Sequence, residues 1–385
     1  MAALVASAAV VCVVAWLTVN VVCNYDGSLT GLYCTGAHAS LPPELDGSHT
    51  YRIHGSAGYD GQFYHLIAHD PLLQRGFLVH VDNPRLRWRR IGVPALAALA
   101  AGGDDRYVDR CYVAVQLAFV FLGVFWLSLF AQLRARHPAW GLAFLLVPAV
   151  AVSLDRMTVD LALAALSVGL VYCVAARNSA RTDWRLYSIL CAVPLVRETG
   201  MMLVVAWCLY SALRKEWREA ALGAACAVPA LAWWGFVASR TPSDGTPWLS
   251  TYPFSGIIEE TLYGASATGS TLWMKAASWF EAFALGGIWL ALALCGYLAW
   301  KRRAGLLEVT AVVFALFAGT LGKADIWSSA YAAGRTLSPL LIVLALLALE
   351  RRSRAFALPL LLVLPRIVLQ YEAQLRLALR SFNGA

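Results

Sequence analysis

"VDRCYVAVQLAFVFLGVFWLSLFAQLRARHP" (108–138) carries no charge between Arg110 and Arg134, then closes on two arginines. At about 1.5 Å of rise per residue, a helix over this run crosses the roughly 30 Å hydrocarbon core of a bilayer. The basic end marks the cytoplasmic side under the positive-inside rule. Outward from it the pattern repeats. Residues 1–22 are apolar, and so are runs near 139–154, 158–176, 185–197, 200–213, 219–239, 281–300, 305–321, 336–350 and 355–371. The reading is an all-α, polytopic transmembrane bundle of roughly eleven spans. Runs too short for a straight span imply either wider true boundaries or helices broken inside the bundle, where protein or water covers the freed backbone.

Composition agrees. Of 385 residues, 60% are hydrophobic and 14% charged, with a mean hydropathy of +0.62. A soluble domain carries about 25% charged residues, so residues 1–385 are read as a single integral-membrane domain. The net charge of +8 does not indicate nucleic acid, because the basic residues punctuate apolar spans. The run 1–22 lacks a basic leading segment and is expected to be a retained span rather than a signal peptide. Most of the nine cysteines lie in or beside apolar segments, and Cys23 and Cys34 could pair on an oxidising face. Neither CxxC nor a His-rich metal spacing is evident, so no metal and no cofactor are expected.

"RARHP", "ARNSARTDWR", "RKEWRE", "KRRAG" and "ERRSR" hold 14 of the 31 basic residues. These short connections are assigned to the cytoplasm. Residues 23–90, "LDRMTVD", "RETG", 240–280 and "GKADIWSSAYAAGRTLSP" then share the opposite face. "IGVPALAALAAGG" (91–103) is short, holds Pro94 and is placed as an interfacial or re-entrant piece. The tail "EAQLRLALRSFNGA" falls on the outer side.

The chemistry gathers on that outer face. "GYDGQFYHLIAHDP" (58–71) predicts a short helix from Asp60 to His69, with Asp60 as N-cap and Pro71 just beyond the end. Phe63, Tyr64 and Ile67 would rest in the headgroup layer. A carboxylate held ionised by helix-end amides at the water–lipid boundary suits a general base. Tyr59, Gln62, Tyr64 and Asp70 are its candidate substrate-binding neighbours. "DNPRLRWRRIGVP" (82–94) adds Arg85, Arg87, Arg89 and Arg90 on a face that topology does not require to be basic, so lipid or substrate phosphate is the expected partner. Asp155, Arg156 and Asp160 of "SLDRMTVD", and Arg197 and Glu198 of "VRETG", are costly groups among apolar runs. They are expected to pair or to face a cavity. Lys323, Asp325 and Arg335 complete the set, Arg335 being placed near the surface at the start of a span as a phosphate fork. Aromatics with Asp244, Glu259 and Glu260 in 240–280 would suit a sugar ring.

Together, "YDGQFYHLIAHDP", the following "PRLRWRRIGVPALAALAAGG", "LDRMTVD", "RETG" and "AAGRTLSP" resemble the GT-C superfamily of integral-membrane glycosyltransferases. The first of these strings resembles bacterial membrane proteins of cell-surface glycopolymer formation. The resemblance implies a bacterial cytoplasmic-membrane enzyme. It would move a sugar, with inversion, from a polyprenyl-phosphate donor to a glycan, lipid or protein acceptor. Asp60 would act as the base, with Arg335 and Lys323 or arginines of 85–90 on the departing phosphate. No adjacent acidic pair accompanies Asp60, which leaves a divalent cation unsupported. A transporter or flippase for lipid-linked saccharide, or a non-catalytic component of glycopolymer assembly, would use the same groups differently.

Overall fold

A computed structural model describes residues 1–46, 50–177, 183–243, 249–250, 252–263, 272–322, 324–327 and 329–383. The chain opens with helix α1 (Ala2–Asn24) and a loop whose order comes from a 3-10 turn (Leu29–Tyr33) and one two-residue parallel strand pair, β1 (Thr35–Gly36) with β2 (Arg52–Ile53). Short helices α2 (Asp60–His69), α3 (Pro84–Arg89) and α4 (Gly92–Ala100) follow, then the long α5 (Asp105–Leu133). A 3-10 segment (Pro138–Leu146) bends by 61° into α6 (Pro148–Arg156). Next come α7 (Asp160–Ala176), α8 (Trp184–Val196), α9 (Met201–Leu213), α10 (Trp217–Ala225) and α11 (Val228–Arg240). The remainder is α12 (Ser255–Tyr263), α13 (Leu272–Trp300), α14 (Leu306–Thr320), α15 (Ala324–Trp327), α16 (Ala330–Thr336), α17 (Ser338–Arg351), α18 (Leu358–Leu369) and α19 (Glu372–Asn383).

Among the described residues five helical stretches are long and apolar enough to cross a membrane: Ala2–Asn24, Asp105–Leu133, Trp217–Arg240, Met274–Trp300 and Arg354–Arg380. The bent pair Pro138–Leu146 and Pro148–Arg156 raises this to six at most. The expectation of about eleven spans is therefore corrected. Several apolar runs fold instead as helices of 17 residues or fewer, such as α7, α8 and α14. The α8–α9 break shows how. Pro194 lies inside α8, Arg197 is extended (φ −157°), and the chain resumes helix only after the turn Glu198–Gly200. One apolar run is thus split with Arg197 and Glu198 at the gap.

The core is built around α7. It is buried on nearly every face from Asp160 to Val171, as expected of a helix that is apolar all round. Its Gly169 lies beneath Trp126 of α5, where an added Cβ would fall 2.6 Å from the indole. Small residues permit such close helix approach where lipid, not water, surrounds the bundle. α5 turns Tyr112, Gln116, Phe119, Val120, Gly123, Val124 and Leu127 inward at helical spacing. α4, nine residues long, is too short to cross and packs on α2 and α5. All nine cysteines are free, so no Cys23–Cys34 bridge forms. The terminal α19 packs on α1, with Asn24 Nδ2 donating to the Gln374 carbonyl at 3.2 Å. This places the tail at the end of the bundle that carries the 23–90 loop.

Candidate functional site

Helix α2 has the predicted bounds but different surroundings. Tyr64, His65, Leu66 and Ile67 are buried in protein, so the helix is a packed element, not one resting among headgroups. Gly61 explains its seat. Any Cβ there would overlap the Arg156 carbonyl oxygen at the end of α6 and crowd the Tyr33 carbonyl. Tyr59, not Asp60, is the N-cap, and Asp60 is the first helical residue. Its carboxylate is held by guanidiniums rather than by helix-end amides. Arg87 Nη1 lies 3.0 Å from Oδ1 and Arg335 Nη1 lies 2.8 Å from Oδ2. Burial works to raise the Asp60 pKa, but Arg87, Arg335 and Arg90 outweigh it and hold the carboxyl far below the usual range.

Each partner is itself anchored. Asn83 Oδ1 caps α3 by accepting from Leu86 N at 3.1 Å, and that short helix aims its arginines two ways. Arg87 forks onto Asp82 at 3.0 and 2.9 Å as well as reaching Asp60. Arg90, just past the helix, donates to both Glu198 oxygens and, at 2.9 Å, to the Tyr64 hydroxyl. Arg85 instead donates to the Ala238 and Thr241 carbonyls, and Arg89 lies over the Trp234 ring. Both tie α3 to α11 and stand apart from Asp60.

Arg335, in the last turn of α16, is buried in ion pairs rather than near the surface as expected. Besides Asp60 it lies 3.7 Å from Asp160 Oδ2 and over the Tyr59 ring. Arg197 pairs with Asp160 and donates to Thr336 Oγ1 at 3.3 Å. Arg156 pairs with Asp155 at 3.0 Å and covers the rings of Tyr59 and Tyr331. Asp155 also accepts from the Tyr331 hydroxyl at 2.9 Å and from Gln374. Five guanidiniums (Arg87, Arg90, Arg156, Arg197, Arg335) therefore interleave with five carboxylates (Asp60, Asp82, Asp155, Asp160, Glu198) at one end of the bundle.

Two predicted residues do other work. Asp70 is buried at the end of α2, where it accepts from the amides of Gln74, Arg75 and Phe77 at 2.7, 3.1 and 3.4 Å. It shapes a turn and does not share the Asp60 cluster. Gln62 Oε1 accepts from Gly36 N at 3.1 Å, pinning β1 to α2, and lines a cavity of about 460 Å³ together with Phe63, Ser40, His80 and Asp82. Asp82 joins that cavity to Arg87. Glu259 and Glu260 lie on α12, which packs against α15. Lys323, Asp244 and the Asp325 side chain lie outside the described residues.

Tyr331, Thr336 and Gln374 were not foreseen as partners. Ordinary polar residues in apolar or amphipathic surroundings give no chemical signal in a sequence. One grouping was not foreseen in the sequence. His65 and His69 stand four residues apart on α2, and with Asp109 of α5 their ligand atoms lie within 4.8 Å of one another. Comparison of the chain with protein-family models, curated proteins and solved structures found no match.

Proposed function

We propose that this multi-pass membrane protein is a GT-C-like glycosyltransferase. It would take a sugar from a polyprenyl-phosphate donor and pass it to a hydroxyl acceptor of a cell-envelope glycan, lipid or protein on the outer face of a bacterial cytoplasmic membrane. The observation that carries this reading is the meeting of Asp60 with Arg87 and Arg335, which come from distant parts of the chain, with Arg87 also paired to Asp82 on the wall of a nearby cavity. A carboxylate gripped by two cations is a poor base, and the same cations are the natural seat of a phosphate. Donor binding would draw Arg87 and Arg335 onto the phosphate and release Asp60. The freed carboxylate then takes the acceptor hydroxyl proton as the acceptor oxygen attacks the anomeric carbon. The bond from that carbon to the phosphate oxygen breaks, and its electron pair leaves with the polyprenyl phosphate, where the guanidiniums meet the developing charge. An apolar groove of about 670 Å³ between α18 and α19, lined by Phe280, Leu361, Val368 and Leu375, suits a prenyl chain. Its wall α19 also carries Gln374, which bonds Asp155.

The test is transfer from radiolabelled polyprenyl-phosphate sugars by the purified chain in proteoliposomes, with a lipid-flipping assay alongside. Asp60→Asn still folds in this reading, because Arg87 keeps Asp82 and Arg335 keeps Asp160. Transfer by wild type that is lost in Asp60→Asn supports the enzyme. Equal transfer by both, or donor-lipid flipping without transfer, rejects it.

A further inference from the structure

His65 and His69 are 1% and 6% exposed on α2, and Asp109 meets them from the first turns of α5. One carboxylate oxygen, Asp109 Oδ1, lies 3.0 Å from His65 Nε2 and 3.5 Å from His69 Nε2. Asp109 Oδ1 is thus shared by two buried imidazoles, and His65 Nδ1 has no hydrogen-bond partner among the described residues. Buried polar atoms are almost always hydrogen-bonded, and one oxygen shared between two ring nitrogens leaves that third nitrogen unaccounted for. Three lone-pair donors converging on one point are what a cation requires.

We propose that His65, His69 and Asp109 form a structural zinc site that fixes α2 to α5. Histidines four apart on a helix place both imidazoles on one side, the spacing that chelates zinc in helical metal sites. Two imidazoles and a carboxylate suit zinc better than magnesium or calcium, which prefer all-oxygen shells. The outer contacts have the expected form as well. Asp105 Oδ1 accepts from His69 Nδ1 at 2.8 Å, which fixes the tautomer with Nε2 free for metal. Tyr33 stacks on the His65 ring at 4.4 Å and holds its plane. Two neutral imidazoles and one carboxylate would leave a net positive charge on the ion, with Asp105, itself paired with Arg75, standing beside it. A donor from solvent would have to complete the tetrahedron. The burial of the histidines makes this a site that holds shape, not one that meets a substrate. The site is independent of the sugar-transfer reading.

The experiment measures zinc in the intact chain, purified in detergent from zinc-supplemented cells, and repeats the measurement on His65→Ala and His69→Gln. Wild type should retain about one zinc per chain after gel filtration, and each variant should lose most of it. Cobalt exchanged into wild type should give the visible absorption of a tetrahedral ion, and a strong chelator should abolish it and lower the melting temperature. That optical signature keeps the question answerable if a variant fails to fold. Wild-type zinc far below one per chain, an octahedral cobalt spectrum, or zinc retained equally by monodisperse His69→Gln each overturns the site.

Discussion

The two ends of helix α2 hold carboxylates ten residues apart in opposite ways. Asp70 is captured by three amides within the next seven residues, those of Gln74, Arg75 and Phe77. Asp60 is captured by Arg87 of α3 and Arg335 of α16, elements that meet only in the folded bundle. A carboxylate satisfied by its own backbone neighbours shapes the chain locally and has no capacity left for a ligand. One satisfied by side chains from remote elements would be free to act if those side chains moved onto another anion. Under the proposed function the difference would separate a structural acid from a reactive one, although both sit at the ends of one short helix.

The largest expected effect breaks the comparison at the Asp60 end. Asp60→Asn should lower sugar transfer by about 100-fold or more, the usual worth of a positioned general base. Asp60→Glu should recover part of it if the carboxylate itself is required. The measurement is the initial rate of transfer per folded protein, with a far-UV spectrum to check the helix content. A loss of less than about threefold would place Asp60 with Asp70 among structural acids.

The second effect lies within α3. Arg87→Lys loses the fork onto Asp82 while keeping the charge near Asp60, and should lower transfer by roughly 10- to 100-fold, since a charge-assisted hydrogen bond is worth about 1.5–3 kcal/mol. Arg89→Lys, two residues away and over Trp234, should leave transfer within about twofold. Equal losses would mean that both arginines merely hold α3 in place.

This pair also marks how far the sequence can be read. Four arginines in "DNPRLRWRR" on an outer loop pointed to a lipid or substrate phosphate, and the bounds of α2 followed from an acid at its start and Pro71 just beyond its end. Which arginines turn inward was not legible, because that depends on where α11 passes, and α11 is fixed by the packing of α8 and α3. Asp60 looked like a helix cap because an acid before a helical run usually is one. Only the fold brings guanidiniums close enough to displace the amides. The span count failed for a related reason. Hydropathy sees Arg197 and Glu198 as a brief interruption, whereas the bundle uses them to stop α8 and begin α9. His65 and His69 were visible as a pair, but their third partner lies on another helix.

A third prediction sharpens the Asp70 end. Asp70→Asn keeps one acceptor oxygen but loses the charge that draws three amides together. It should cost about 1–3 kcal/mol of stability and leave the transfer rate of the folded fraction unchanged. Thermal unfolding gives the first quantity and the rate per folded chain the second. A fall in rate with no fall in stability would move Asp70 into the site.

The smallest effect is expected near neutral pH, and its sign follows from the Asp60 pKa. Burial favours the protonated acid, but Arg87 and Arg335 prevail and lower the pKa well below its unfolded value. The folded state therefore holds this proton less tightly than the unfolded chain does. The resulting stability is fully present above the unfolded carboxylate value of about 4, and is lost as pH falls through the lower folded pKa. Between pH 7 and 5 the difference in melting temperature between wild type and Asp60→Asn should stay flat, and it should shrink only in stronger acid. Turnover separates the two states of the site. The acid limb of kcat/KM reports the free protein, with both arginines on Asp60. The acid limb of kcat reports the donor complex, where the phosphate has drawn them away. The limb of kcat should accordingly lie at higher pH than that of kcat/KM. Coincident limbs would mean that the guanidiniums never leave Asp60, and a carboxylate that stays gripped in this way cannot serve as the base.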